Sequence, residues 1–156
     1  MRGMALLCAS FAVVAAGAGN ALAHGGPPTT TTTTFHNATE VVPGSDCDGN
    51  AGAETHVFNG VLHTTEFPDG HQHVTGTMAG TWTLDVTDPS LPDYEGRFVI
   101  WFGENLNPNV SNFTVTAPFV GRSTDGSRFN FLLVLHATVV DGVVRADVSN
   151  VRCDQG

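Results

Sequence analysis

The strongest fold signal in this sequence lies in residues 54–86, which read ETHVFNGVLHTTEFPDGHQHVTGTMAGTWTLDV. Polar and apolar residues alternate on both sides of the segment FPDGH at 67–71, as is typical of two strands joined by a short turn. The proline and glycine of that segment suit a type I turn closed by a residue in the left-handed conformation. This turn predicts that Thr65 pairs with His73 on the neighbouring strand.

The second of these strands has one apolar face and one polar face. Every second residue from Val74 to Val86 is apolar or glycine, and the residues between them are mostly threonine. Because successive side chains of a strand point to opposite faces, the first set predicts a core face and the second a solvated face.

A second turn is predicted at Asp141-Gly142, near the end of the chain. A two-residue connection there matches apolar with apolar residues on the last two strands, whereas a three-residue turn places an arginine opposite an alanine. The predicted pairs are Ala137 with Ala146, Leu135 with Val148, and His136 with Asp147.

The chain as a whole predicts an all-β meander of about seven to eight strands, without a sustained helical period. Long neighbouring strands favour a closed or nearly closed antiparallel barrel, and inward glycines at 60, 76 and 80 would permit the coiling. A β-sandwich is the alternative. The predicted strands are 34–42, 54–67, 71–86, 94–103, 110–121, 128–140 and 143–152.

The first 23 residues predict a cleaved signal peptide. Arg2 precedes an apolar run over 4–18, and Ala21-Leu22-Ala23 supplies the small residues at the cleavage site. The run is short for a membrane span, so we expect no span after cleavage, with an uncleaved anchor as the alternative. The predicted location is secreted and extracellular, either free or associated with the cell wall.

The mature chain is strongly acidic. All 15 acidic residues but only five of the six basic residues follow position 23, which gives a formal charge of −10, and the chain has no lysine. Nucleic acids and anionic membrane surfaces require clustered positive charge, so neither is an expected partner.

The mature chain divides into a short lead and one domain. Residues 24–34, HGGPPTTTTTT, predict a linker, whose threonine end is alternatively an edge strand. Residues 35–156 predict a single β domain.

Signal cleavage removes Cys8 and leaves Cys47 and Cys153 near the two ends of the domain. In an exported chain this pair predicts a disulfide, with two free thiols as the alternative.

Three segments carry a resemblance to a family of small secreted proteins from high-GC Gram-positive (actinobacterial) bacteria. They are NGVLHTTEFPDGHQHVTGTMAGTW at 59–82, YEGRFVIWFGENLN at 94–107 and DGSRFNFLLVLHATV at 125–139, and the resemblance extends from about Phe35 to Cys153. It implies export and one β domain, but no activity and no functional residues. The strand pattern is also similar to that of lipocalin-like and allene-oxide-cyclase-like barrels. A similarity of architecture alone does not indicate a function.

A candidate ligand site follows the fourth strand. Trp101, Asn105 and Asn107 would suit a sugar or another polar ligand at the mouth of a barrel. The alternative is that the two asparagines only form Asx turns before the following proline.

A candidate metal site combines His63, His71 and His73. The predicted hairpin register projects all three imidazoles from one face, a spacing that can hold zinc weakly. The alternative is an ordinary solvated polar face.

The function expected from these features is a non-enzymatic binding or scaffold protein, because no nucleophile motif is present. Its partner would be a small apolar ligand inside the barrel or a component of the cell surface. The alternative is a metal-dependent enzyme or copper-binding protein that uses the histidine cluster, or the N-terminal His24 with His36 or a barrel histidine as the second ligand. No other cofactor is expected.

Overall fold

A computed structural model describes residues 26–107 and 109–155 of the chain. The signal peptide predicted at 1–23, and His24 with it, lie outside these residues. The described residues contain seven strands, in agreement with the predicted count. Their bounds are β1 Thr29–Ser45, β2 Ala51–Glu66, β3 Gln72–Val86, β4 Tyr94–Leu106, β5 Val110–Ser123, β6 Arg128–Val140 and β7 Val143–Gln155.

The strands form one antiparallel sheet in which each strand pairs with the next, in the order β1 to β7. The all-β antiparallel meander is therefore confirmed. Among the described residues β1 and β7 have no hydrogen-bonded pairing with each other, so they are the two edges of the sheet. Nor does any helix there have the length and apolar character needed to cross a membrane.

The β2–β3 hairpin has the predicted register. Thr65 pairs with His73, and the backbone N–H of Phe67 donates to the carbonyl of His71 over 2.9 Å. Gly70 has φ 85°, the left-handed conformation that glycine adopts without strain. Local turn chemistry therefore sets this register.

The core lies on the predicted face of β3. Trp82 is 2 % exposed, and its ring contacts Phe129 of β6 at a centroid distance of 5.0 Å. Phe98 of β4 and Phe119 of β5 stack at 5.4 Å. Aromatic side chains from β3 to β6 therefore meet on one side of the sheet.

Gly80 allows neighbouring strands to approach closely. A Cβ atom at this position would collide with the backbone carbonyl oxygen of Val57 on β2. At Gly76 the added atom would collide with the ring of Phe102 on β4. Glycine is therefore needed at position 80, where the obstacle is backbone, whereas a side chain at position 76 would require the Phe102 ring to move.

The strand β1 begins earlier than predicted. Thr29 to Thr34, which we assigned to the linker with an edge strand as the alternative, belong to β1 and pair with β2, so the alternative is correct for these residues. The hydroxyl of Thr30 lies 2.9 Å from that of Thr65, and the hydroxyl of Thr32 lies 2.9 Å from Nδ1 of His63. These contacts and the strand preference of β-branched residues extend the sheet into the predicted linker.

The predicted register between β6 and β7 is wrong by one residue. The two-residue turn is present, with Asp141 and Gly142 at φ 51° and 76°. A β-bulge between Thr138 and Val139 then shifts the pairing. The observed pairs are Ala137 with Asp147, His136 with Val148, and Leu135 with Ser149. An extra residue on one strand moves every later side chain to the other face, which leaves Val148 64 % exposed.

The disulfide between Cys47 and Cys153 is confirmed. Their Cα atoms lie 5.4 Å apart, although the residues are separated by 106 positions. The bond joins the β1–β2 connection to the end of β7, so it ties the two sides of the meander together at one end.

Candidate functional site

An open depression of ≈ 300 Å³ lies where the β2–β3 turn meets the end of β4. The turn supplies His71, and His73 of β3 pairs directly with Asn105 of β4. Four of the predicted site residues are therefore brought together. The lining residues are Phe67, His71, Gln72, His73, Asn105 and Asn107.

The depression combines an aromatic ring with amide and imidazole groups. Phe67 is exposed, and so are both asparagines. Amide groups both donate and accept hydrogen bonds. Within residues 26–107 and 109–155, the amides of Gln72, Asn105 and Asn107 make no side-chain hydrogen bond, including the bond that an Asx turn would require. These amides are therefore available to hydrogen-bond with solvent.

Two lining residues were missed by the sequence analysis. Phe67 was assigned only to the turn, and Gln72 only to a strand end. The signal that could have found them is the register itself, because Gln72 pairs with Leu106 beside the predicted asparagines. A large apolar residue at an exposed turn is a further indication of a contact surface.

Trp101 lies on the same outer face but outside the depression. It is 48 % exposed and pairs with Thr77 of β3 and Thr116 of β5. Asn105 follows four residues along β4, about 13 Å away at the usual rise per residue. The three residues predicted to form one ligand site therefore lie on the same exposed face of the sheet but do not line one pocket.

The three predicted metal ligands are only partly assembled. Asp69 Oδ2 lies 2.7 Å from Nδ1 of His71, while Nδ1 of His63 faces Thr32 and this residue does not line the depression. In the part of the chain that the structure describes, no three His, Cys, Asp or Glu side chains are grouped as a metal site. His36, the proposed second copper ligand, is exposed on β1.

The inner face holds a polar pair that the sequence analysis did not identify. His56 is 6 % exposed, and its Nε2 lies 2.8 Å from Oε1 of Glu54. The imidazole also packs on Phe98 at a centroid distance of 4.9 Å. The alternation of β2 was the available signal, because Glu54 and His56 share the parity of the buried Phe58.

Glu104 is a second polar residue with the parity of the inner face. It pairs with Val74 on β3 and Phe113 on β5. Burial raises the pKa of its carboxyl above the ordinary value, because a low-dielectric surrounding disfavours the charged form.

A smaller depression of ≈ 240 Å³ lies at the disulfide end, between the β1–β2, β3–β4 and β5–β6 connections. Asp46 accepts hydrogen bonds from the backbone N–H groups of Asp48 and Asn50, so it holds its own loop in shape. Ser123 donates to Asp125, which lowers the pKa of that carboxyl. Tyr94 lines the same depression, and burial raises the pKa of its hydroxyl, as do the nearby carboxylates.

The fold and the site define an all-β, disulfide-linked chain with an open polar depression at one end of its sheet. Searches against protein-family models, curated proteins and solved structures found no match to this chain. The resemblance to secreted actinobacterial proteins therefore stays a prediction.

Proposed function

We propose that this chain is an exported, non-enzymatic binding module. It binds a neutral polar ligand, such as a sugar, on the outer face of its sheet. The observation that carries the proposal is the depression, in which His73 and Asn105 meet from adjacent strands beside the exposed ring of Phe67. Amides and imidazoles can hydrogen-bond hydroxyl groups, and an aromatic ring offers an apolar surface.

The chemistry of the depression favours binding over catalysis. Its lining groups are open to solvent, whereas catalytic sites gain most from excluding water. The carboxylate of Asp69, in the β2–β3 turn, is engaged with His71. The site can therefore recognise a ligand through several modest hydrogen bonds without a strongly activated group.

An outer site is favoured over an interior one. The rings of Trp82, Phe119 and Phe129 pack against one another on the inner face. A small apolar ligand inside the sheet would have to displace these contacts, which makes a hollow interior the weaker alternative.

We further propose that the meander curls into a nearly closed barrel, with the β-sandwich as the alternative. Two observations support the barrel: the contact between Trp82 of β3 and Phe129 of β6, and the disulfide that ties the β1–β2 connection to β7. Small-angle scattering of the mature chain would test it, because a barrel and a flatter sandwich differ in overall dimensions.

The proposed location is extracellular, and the proposed partner is a component of the cell surface. The Cys47–Cys153 disulfide is compatible with an oxidising compartment. The predicted signal peptide supports the same location.

The experiment that tests the function is calorimetric titration of mature chain with neutral oligosaccharides and with purified cell-wall polysaccharide. We expect Asn105→Ala to weaken binding roughly tenfold, because one or two hydrogen bonds to the ligand are lost. Asn130→Ala is the matched control, since Asn130 is also an exposed strand asparagine but lies outside the depression. Equal affinities for both variants, or no binding by the wild type, would contradict the proposal.

A second candidate function is weak transition-metal binding by His71 and His73. It is favoured by the contact between Asp69 and Nδ1 of His71, because an imidazole held by a carboxylate at one nitrogen can bind a metal with the other. Zinc or copper would suit such ligands. The copper alternative through His24 lies outside the described residues.

A further inference from the structure

The strand register aligns two rows of residues that include no Asp, Glu or Arg across six strands of the outer face, and every member except Gly103 has a side chain that can hydrogen-bond. We name these two rows the neutral band. The first row runs through consecutive pairings from β1 to β6, and its members are Thr30, Thr65, His73, Asn105, Asn112 and Thr138.

The second row is displaced from the first by two residues on each strand, toward the disulfide end of the sheet. Every one of its members is exposed or half-buried, as in the first row. The row consists of Thr32, His63, Thr75, Gly103, Thr114 and His136.

The band differs in charge from the other end of the same face. Neither row contains an acidic residue, an arginine or an aliphatic side chain. The row nearest the disulfide end, by contrast, carries Glu95, Arg122 and Arg128 on adjacent strands. In a chain with a formal charge of −9, an uncharged stretch across six strands indicates a surface suited to a neutral ligand.

Several groups of the band are held in place by their neighbours. Thr30 and Thr65 are hydrogen-bonded at 2.9 Å, and Thr138 donates to Asn112 over 2.8 Å. Side chains that are ordered before binding lose less entropy when a ligand arrives. Each hydroxyl or amide in these pairs keeps further hydrogen-bonding capacity for a ligand.

The centre of the band adjoins an exposed aromatic ring. At Gly103 on β4 no side chain rises from the band. The space above its Cα atom is open, since an added Cβ atom there would meet nothing nearer than 3.5 Å. Trp101 lies two residues away on the same strand and face. A sugar ring has an apolar face and polar hydroxyl groups at its edge. The flat ring of Trp101 can contact the apolar face, while the polar side chains of the band can hydrogen-bond the hydroxyl groups.

From this arrangement we propose that the ligand is an unbranched, neutral oligosaccharide that follows the curved outer face across the strands along the neutral band. Measured along the curved sheet, six strands at their usual spacing span about 24 Å, so the band offers contacts to several consecutive units of a sugar chain that follows the curvature. The inference rests on the proposed function and extends its site from the depression at β3 and β4 to the strands on either side.

The test is titration of the mature chain with neutral gluco-, manno- and galacto-oligosaccharides, each from the disaccharide to the hexasaccharide. We expect affinity to rise with chain length, by roughly tenfold or more between disaccharide and hexasaccharide, because each added unit contacts a further strand. An acidic oligogalacturonate series of equal lengths is the ligand control and should bind more weakly at low salt.

Variants at the far end of the band separate this inference from the proposed function. Thr138→Ala on β6 should weaken hexasaccharide binding several-fold and leave disaccharide binding unchanged. Thr83→Ala, on the outer face away from the band, is the matched control and should change neither. If disaccharides bind as tightly as hexasaccharides and Thr138→Ala has no effect, the extended site is wrong while the depression stands. If no sugar of any length binds, both proposals fail.

Discussion

Tyr94 is the only tyrosine of the chain, so its ionisation can be followed without interference. Burial raises the pKa of its hydroxyl above the ordinary value of about 10, and the negative charges of Asp46, Asp125 and Asp48 raise it further. The folded chain therefore holds this proton more tightly than the unfolded chain. Its contribution to stability is present below pH 10 or so and is lost as the pH rises through the folded pKa.

We predict that the ultraviolet absorbance titration of Tyr94 has a higher midpoint in the folded chain than in the chain unfolded by denaturant. Asp48→Asn removes one of the three charges and should lower the folded midpoint part of the way. Identical midpoints for the folded and unfolded chains would show that neither burial nor charge acts on this hydroxyl.

For the histidines, we predict that the mature chain binds zinc weakly and that His73→Ala removes most of the calorimetric signal. His136→Ala is the control, because His136 is exposed on β6 and does not line the depression. His63→Ala should also retain binding, since Nδ1 of His63 lies against Thr32 and the residue is outside the depression. Indistinguishable isotherms for the wild type and His73→Ala would remove the site.

At the scale of the elements, the two hairpins with predicted turns show what local chemistry can and cannot specify. The β2–β3 register follows from the turn residues, and burial of the Trp82 face reinforces it. The β6–β7 turn was also predicted correctly, but the bulge after Thr138 was not. The strand β7 is an edge and mostly exposed, so a shift of one residue costs little burial there and alternation alone could not reveal it.

The close approach of β2 and β3 predicts a large effect of Gly80→Ala. The added Cβ atom would collide with the backbone of Val57 and lie 2.8 Å from Cα of Phe58, so the strands must separate. We expect the free energy of unfolding to fall by about 1–3 kcal/mol. Denaturant titration measures this loss.

Gly103→Ala is the control for that substitution. Its nearest neighbour is the Thr114 hydroxyl at 3.5 Å, an ordinary contact, so we expect a change within about 0.5 kcal/mol. Comparable losses in the two variants would contradict the prediction, because of these two positions only Gly80 brings an added Cβ atom into collision with the neighbouring strand.

For the molecule as a whole, the disulfide is the covalent link between the two ends of the meander. We predict that Cys47→Ser combined with Cys153→Ser lowers the free energy of unfolding by roughly 2–5 kcal/mol, because the unfolded chain loses a constraint over 106 positions. Thermal and denaturant unfolding measure the loss. A reducing agent should destabilise the wild type by a similar amount and leave the double variant unchanged. Equal stability of the double variant and the oxidised wild type would contradict the prediction.

The candidate site was predictable as a set of residue types but not as an arrangement. His71, His73, Asn105 and Asn107 were all singled out from the sequence, two as metal ligands and two as ligand contacts. Only the pairing of β3 with β4 places them in one depression, and it leaves His63 and Trp101 outside it.

Short-range signals in the sequence determined the antiparallel strands, the two turns and the inward face of β3, because alternation and turn chemistry act between residues close in the chain. The cysteine pair was predicted from its position in an exported chain. Tertiary structure alone decided the contact between the Glu54 and His56 side chains, how far β1 extends into the threonine run, and the alignment of the neutral band across six strands. Each of these depends on register and packing between strands, which are set by the burial of the whole sheet and not by any one segment.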